Sequence, residues 1–121
     1  MATKHILSIG IPPPDQVKHG LENSKAKVKD DFNIDVELFY FDAKKFEETE
    51  IENIGAKLRS RKWDGVVVGG GVRLNPDMTE IFEKVVNSAH EFAPQARMGF
   101  NQSGEDLYEC VKRGWTGMWS E

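Results

Sequence analysis

The sequence predicts one α/β domain built on a parallel sheet, and three observations support this fold class. Short apolar segments alternate with longer amphipathic ones along the 121 residues, as in parallel strands joined by right-handed helical crossovers. The continuous valine run at 66–68 is typical of a strand that is buried on both faces. The length suits one domain, and no linker-like stretch divides it. We therefore expect a three-layer sandwich over residues 1–121, whose four-stranded parallel sheet in the order 2-1-3-4 places the two most apolar strands centrally.

The first half of the chain predicts two strands and two helices. Strand one covers residues 5–11 and ends at three consecutive prolines, which cannot continue a central strand. Asp15 can then cap a helix over about 16–32. Strand two covers 35–42, and its alternation of polar and aromatic residues is typical of an edge strand. The next helix is expected to begin at Thr49, which has capping-box spacing to an acid three residues later.

The second half of the chain predicts two further pairs of a strand and a helix. Strand three covers 63–68 and leads into a glycine-rich loop over 69–74. Asn75 can cap the third helix, because a proline follows at the favoured first position and the apolar residues beyond it recur at helical spacing. Strand four covers 97–101, and Ser103 is expected to cap the last helix.

Composition excludes several classes of function. Sixteen basic and 20 acidic residues give a net charge of −4, whereas nucleic-acid-binding domains are usually basic. The single cysteine, Cys110, excludes an internal disulfide and is expected to be a small buried hydrophobe. Three scattered histidines do not form a metal site. No apolar run approaches the roughly 18 residues of a membrane span, and the amino terminus lacks a signal pattern. We therefore expect a cytoplasmic protein that binds neither nucleic acid nor membrane.

The triple glycine after strand three is the most informative motif for function. In the predicted strand order, the crevice outside the carboxyl ends of strands one and three is where ligands of open α/β sheets bind. Gly69, Gly70 and Gly71 allow close backbone approach, and Arg73 offers a planar fork of donors for phosphate or carboxylate. These residues predict a site for a small anionic metabolite, with phosphate-bearing compounds first. The alternative is a tight strand-to-helix turn with Arg73 paired to a local carboxylate, since the motif matches neither nucleotide-binding glycine pattern.

Four further residues are candidates at the same edge of the sheet. Asn101 ends strand four and can orient a ligand, while Ser103 can contact a ligand or serve only as the helix cap. Asp15 and His19 are four residues apart on one helical face and are weak candidates for proton transfer. Their alternative is a cap beside an exposed histidine. No activated nucleophile is evident, so enzymatic activity and any cofactor stay open.

Five segments carry a resemblance to other small proteins. They are residues 4–10, 63–73, 82–85, 90–97 and 100–101. On these segments the chain resembles a group of small, uncharacterised Rossmann-like or flavodoxin-like α/β proteins of bacteria and fungi. The resemblance implies the fold and brings no established activity, so it assigns no catalytic role. Flavodoxins, response-regulator receivers and sugar phosphotransferase domains share the expected architecture, but the residues that perform their chemistry are missing here.

The end of the chain motivates a competing hypothesis, a non-catalytic protein-interaction or regulatory module. Gly114 suits the end of the last helix, and a short aromatic tail follows over 115–121. Within it, Trp115, Met118 and Trp119 could cover a partner or a second copy in a homodimer, or could fold back onto the domain. The two hypotheses differ in their requirements. A ligand site needs a concave opening near the glycines, whereas an interaction module needs an exposed apolar patch.

Overall fold

The computed structural model describes residues 2–117, and they have the predicted α/β fold. Four strands form one sheet in the order β2-β1-β3-β4, and every neighbouring pair is parallel. The strands are β1 Lys4–Gly10, β2 Ile34–Tyr40, β3 Gly65–Val68 and β4 Arg97–Phe100. The apolar strands β1 and β3 are central, so the predicted strand order is confirmed.

Five helices in the described part of the chain cover both faces of the sheet. They are α1 Asp15–Phe32, α2 Glu48–Arg59, α3 Gly70–Arg73, α4 Thr79–Phe92 and α5 Leu107–Trp115. Short 3₁₀ turns precede three of them, at Ala43–Lys45, Pro76–Met78 and Gly104–Asp106. Helices α2 and α4 pack together on one face, and α1 and α5 pack on the other. No helix within residues 2–117 has both the length and the apolar character to cross a membrane.

Each face of the sheet has its own apolar core, because side chains alternate along a strand. In β1, Leu7 and Ile9 belong to the core under α2 and α4, whereas Ile6 belongs to the core under α1 and α5. The second core also contains Cys110, which is 2% exposed, as predicted. Burial raises the pKa of this thiol above its ordinary value of 9.0. The thiol is therefore protonated at neutral pH and behaves as part of the core.

The segment predicted as a glycine-rich loop is instead largely helical. Gly69 is extended, with φ −69° and ψ 150°, and α3 begins at the next residue. The backbone closes this turn at once, since the Gly69 carbonyl accepts two N–H groups at 3.1 Å. Asn75 caps a helical segment as predicted, because its Oδ1 accepts the N–H of Asp77 at 3.0 Å. That segment is a 3₁₀ turn, however, and α4 starts only at Thr79.

Two predicted helix caps at the start of α1 and α2 are wrong. Asp15 is the first residue of α1, and Thr49 lies inside α2. The residues at the two capping positions are Pro14 and Glu47, whose side chains form no capping hydrogen bond within the described chain. The carbonyls of both accept the first helical N–H groups, so each helix begins earlier than a side-chain cap predicts.

The ends of α5 also differ from the prediction. The turn before α5 is held by the carboxylate of Asp106, which accepts the N–H of Gln102 at 2.9 Å and that of Ser103 at 2.8 Å. The Asp106 carboxylate thus caps backbone N–H groups that precede it in the chain, whereas the hydroxyl of Ser103 was the expected cap. Gly114 lies inside α5, and the left-handed residue after the helix is Gly117, with φ 64°.

Trp115, at the end of α5, covers the amino half of the sheet on the α1/α5 face. Its indole lies over Gly65 of β3 and Gly99 of β4, and it is 4% exposed. A Cβ at Gly65 would overlap the ring, and one at Gly99 would lie 2.8 Å from Cη2. The indole Nε1 donates to the carbonyl of Asp64 at 3.2 Å. The two glycines therefore make room for a flat ring of the protein itself.

Candidate functional site

A cavity of about 240 Å³ opens on the α1/α5 face of the sheet, at the carboxyl ends of the strands. Residues 8–14 line it from the end of β1, and residues 69–71 line it from the end of β3. Val17 and Leu21 of α1 and the loop 101–103 contribute further walls. The cavity therefore lies at the point where strand order reverses, which is where the sequence predicts a ligand.

Four residues that line the cavity form one row across the sheet, which we call the edge row: Tyr40, Gly10, Gly69 and Asn101. Tyr40 pairs with Gly10 in the register of β2 and β1. A Cβ on Gly10 would lie 3.9 Å from the Cα of Gly69, and a Cβ on Gly69 would lie 4.0 Å from Oδ1 of Asn101. Since neighbouring strands are about 4.8 Å apart, the row presents bare backbone between an aromatic ring and an amide.

The two glycines of the edge row are not required by their own backbone or by close packing. In residues 2–117, the glycine with a positive φ is Gly117, and Gly69 has an ordinary extended conformation. A Cβ on Gly10 or Gly69 would make only ordinary van der Waals contacts. Gly70 is different, because a Cβ there would overlap the backbone carbonyl of Gln102. Gly70 is thus explained by packing, whereas Gly10 and Gly69 border open space.

Asn101 lines the cavity and holds a buried acceptor that has no partner within the described residues. The residue is 4% exposed, and its Nδ2 donates to the carbonyl of Ser103 at 2.8 Å. That bond fixes the amide orientation, and Oδ1 then has no donor within the described residues. A buried acceptor without a partner costs roughly 1–3 kcal/mol, so such groups call for an explanation. Because the oxygen itself is buried, a ligand in the cavity does not reach it without a movement of the wall.

Arg73, the residue expected to hold an anion, does not line the cavity. Its guanidinium carbon lies 5.9 Å from the centroid of the Phe100 ring, which packs against the core under α2 and α4. The Nη2 of Arg73 donates to the backbone carbonyl of Asn101 at 3.5 Å. Because Phe100 and Asn101 are adjacent on an extended strand end, their side chains lie on opposite faces. Arg73 therefore lies across the sheet from the cavity.

The triple glycine contributes backbone groups to the cavity wall. Gly70 and Gly71 are the first two residues of α3, so their N–H groups have no acceptor inside that helix. Both residues line the cavity. No charged side chain belongs to the set of described residues that line it. The cavity is therefore apolar in its walls and depends on backbone and neutral side-chain groups for polar contacts.

The remaining candidates are placed unequally. Ser103 lines the cavity, and its backbone N–H is bound to Asp106. Asp15 and His19 are exposed on α1 and lie outside the lining, which α1 supplies through Val17 and Leu21. The proposed proton-transfer pair therefore does not face the cavity.

Tyr40 is a lining residue that the sequence analysis missed. Burial raises the pKa of its hydroxyl above 10.0, and the charge of Glu22 adds to this effect, so the hydroxyl remains a donor at neutral pH. The signal was present in the sequence, since Tyr40 lies in strand two at the level of Gly10 when the two strands are paired from their starts. The polyproline segment at 12–14, which follows β1, also lines the cavity.

The sequence matches no protein-family model and no curated protein. Within residues 2–117, no cluster of three or more histidine, cysteine or acidic side chains is placed to hold a metal ion. The cavity has mostly apolar walls, and among the described residues its polar lining consists of backbone and neutral side chains.

Proposed function

We propose that this protein binds a small molecule in the cavity at the carboxyl ends of β1 and β3. The observation that carries the proposal is the open cavity itself, which lies where strand order reverses and whose wall includes the bare backbone of Gly10 and Gly69.

The dimensions of the cavity favour a compact ligand. At about 30 Å³ for each water, a volume of about 240 Å³ corresponds to roughly eight waters. This is slightly below the range of about 300–1,000 Å³ typical of sites for drug-sized molecules. A single metabolite ring or a short acid fits this space, whereas an entire dinucleotide does not.

The negative charge expected of the ligand stays a prediction. The cationic side chain expected to hold an anion, Arg73, lies against the Phe100 ring and does not line the cavity. No described lining residue provides an acid–base pair either. Binding without a chemical step is therefore the function that the geometry supports best.

The competing hypothesis of an interaction module has less support in the described surface. Within residues 2–117, the large hydrophobic side chains that are exposed are Tyr40 at 38% and Leu74 at 56%. Tyr40 belongs to the cavity, and Trp115 packs on its own domain. Met118 and Trp119, on which the hypothesis also depends, lie outside the described residues. A homodimer stays a prediction.

A thermal-shift panel tests the proposal. The compounds are phosphate, sugar phosphates, nucleotides, coenzyme A, simple carboxylates and neutral heteroaromatic rings. A ligand at 100 times its Kd should stabilise the fold by about 2.7 kcal/mol, a shift of several degrees in Tm.

Two variants locate any ligand that the panel identifies. Gly10→Val should abolish the shift, because its side chain enters the cavity, whereas Arg73→Ala should leave the shift intact. A shift that survives Gly10→Val and disappears in Arg73→Ala would place the ligand on the other face and contradict the proposal. The absence of any shift at millimolar concentration would also contradict it.

A further inference from the structure

Ser8 is a polar residue in the middle of an apolar central strand. It lies in β1, where the register pairs it with Leu38 of β2 on one side and with Val67 of β3 on the other. Ile6, two residues earlier in β1, belongs to the core under α1 and α5. Because side chains two residues apart lie on the same face of a strand, the Ser8 hydroxyl lies on the α1/α5 face.

The side chain of Ser8 is open to the cavity. Ser8 is half-buried, whereas its neighbours Leu7 and Ile9 in β1 are 0% exposed. Strands pair with Ser8 on both sides, so its exposed part lies on the side of the sheet that its side chain faces. Ser8 also lines the cavity, which opens on that same side. The Ser8 side chain is therefore part of the cavity floor.

The Ser8 hydroxyl has no hydrogen-bond partner within residues 2–117. The side-chain polar atoms of that range that are both fully buried and unpaired are Nε of Arg73 and Oδ1 of Asn101. Since the Ser8 oxygen is unpaired and is not one of these two, it has accessible surface, and the cavity provides it. Water can hydrate this oxygen in the free protein, but a ligand that fills the cavity displaces that water. A wholly apolar ligand would leave the hydroxyl unpaired, which weakens binding.

The edge row lies next to Ser8 along the strands. Gly10 is two residues further along β1, a distance of about 6.6 Å at a rise of about 3.3 Å for each residue. Tyr40 is opposite Gly10 on β2. The cavity thus combines a hydroxyl on its floor, the bare backbone of Gly10 and Gly69, and an aromatic ring at one end of the edge row. A molecule with a single ring spans these features.

We propose that the cavity binds a small, uncharged compound with an apolar ring or chain and one hydroxyl or carbonyl oxygen. The oxygen of the ligand forms a hydrogen bond with the Ser8 hydroxyl, and its apolar part lies over the backbone of Gly10 and Gly69. Ser8 is thus the residue that determines specificity. This inference rests on the proposed function, because it names the class of compound that the cavity binds.

The surroundings of the cavity favour an uncharged ligand. Pro13, Val17 and Leu21 provide apolar walls. No charged side chain belongs to the described lining, so an ion would lose its hydration without gaining a countercharge. Burial, and then the negative charge of Glu22, raises the pKa of the Tyr40 hydroxyl above its ordinary value of 10.0. The same negative charge disfavours an anion at this end of the edge row.

The test compares phenol with toluene by isothermal titration calorimetry on the full chain. The two molecules have nearly the same shape, and phenol has a hydroxyl where toluene has a methyl group. Toluene is the more hydrophobic of the two, so the informative quantity is the ratio of the Kd of toluene to the Kd of phenol, compared between proteins. We expect this ratio to be about fivefold lower in Ser8→Ala than in the wild type, which is the typical net effect of one neutral hydrogen bond. The difference in hydrophobicity cancels, because it is the same in both proteins.

Ser88→Ala is the matched control, because Ser88 is a serine in α4 that is 7% exposed and lies outside the cavity lining. Its ratio should equal that of the wild type, and circular dichroism checks that each variant folds. If Ser8→Ala does not fold, Ser8→Cys takes its place, since a thiol is close in size to a hydroxyl and is only a weak donor. The ratio should fall in that variant too.

The outcomes separate this inference from the proposed function. A ratio that is unchanged in the Ser8 variant would overturn the role of Ser8. If phosphate or benzoate bound and Gly10→Val abolished that binding, while phenol and toluene did not bind at millimolar concentration, the uncharged ligand would be overturned and the small-molecule site would stand. No binding of any of these compounds would contradict the proposed function as well. A lower ratio in the Ser8 variant and a wild-type ratio in Ser88→Ala, with loss of phenol binding in Gly10→Val, would support the whole inference.

Discussion

The amino and carboxyl halves of the α1/α5 sheet face differ in one respect, which is what covers their glycines. Above Gly65 and Gly99 the protein places the ring of Trp115. Above Gly10 and Gly69 it places a cavity of about 240 Å³. The first pair cannot accept a Cβ without overlap or close contact, whereas the second pair can. A glycine on a buried sheet face can therefore make room for a packed side chain in one half of the sheet and border a cavity in the other.

This difference matters for the interpretation of glycines in a sequence. Gly65 and Gly99 are necessary for stability, since a larger residue would displace Trp115. Gly10, the last residue of β1, and Gly69, which follows β3, each lower stability relative to a residue with a side chain, because glycine loses more entropy on folding. Close packing does not offset this loss of stability. Such an uncompensated loss is expected of residues that shape a binding site.

The largest expected effect that sharpens the comparison comes from Trp115→Ala. Removal of the ring empties the filled half, and we expect the free energy of unfolding to fall by about 3–5 kcal/mol. Urea denaturation measures this loss. Leu74→Ala, at a side chain that is 56% exposed, should change stability by less than about 0.5 kcal/mol.

The same variant has a second readout in Cys110. Its Sγ lies 3.2 Å from the position of a Cβ on Gly99, next to the Trp115 ring. Alkylation of the native thiol should be slow in the wild type, because the group is 2% exposed and burial raises its pKa. The rate should rise in Trp115→Ala. If Trp115→Ala kept the stability and the alkylation rate of the wild type, the result would show that the ring does not fill this half of the sheet face.

A smaller effect is expected within the triple glycine. Gly70→Ala should lower the free energy of unfolding by about 1–3 kcal/mol, because its Cβ overlaps the Gln102 carbonyl. Gly71→Ala is the matched control, since its Cβ meets only the flexible side chain of Ile11 at 3.2 Å. Alanine is also the better helix former, so we expect this variant to remain within about 0.5 kcal/mol of the wild type. Equal losses in the two variants would contradict the packing role assigned to Gly70.

Much of the fold and part of the site could be predicted from the sequence. The valine run of β3 and the short apolar β1 indicate central strands, and the observed strand order agrees with them. That order brings Gly69 and Asn101 to one edge of the sheet, where both line the cavity. These predictions succeed because they depend on strand alternation and chain order, which are local properties.

The position of Arg73 could not be predicted in the same way. Arg73 is the last residue of a four-residue helix, in a segment that the glycines suggested would be a loop. The face on which the guanidinium lies depends on how α3 turns relative to β4, which no periodicity in the sequence encodes. The orientation of the Asn101 amide could not be predicted for a similar reason. It is set by the hydrogen bond from Nδ2 to the Ser103 carbonyl in the following turn.

The most direct test of the central claim is chemical-shift mapping of the ¹⁵N-labelled protein during titration with the compound that raises Tm most in the thermal-shift panel. The account predicts that the backbone amides of Gly10 and Gly69 and the side-chain amide of Asn101 shift together and saturate. The amides of Gly65 and Gly99, which lie under Trp115, should stay in place. Shifts confined to other surfaces, or no saturable shifts at the edge row, would contradict the claim that the open half of this sheet face is a ligand site.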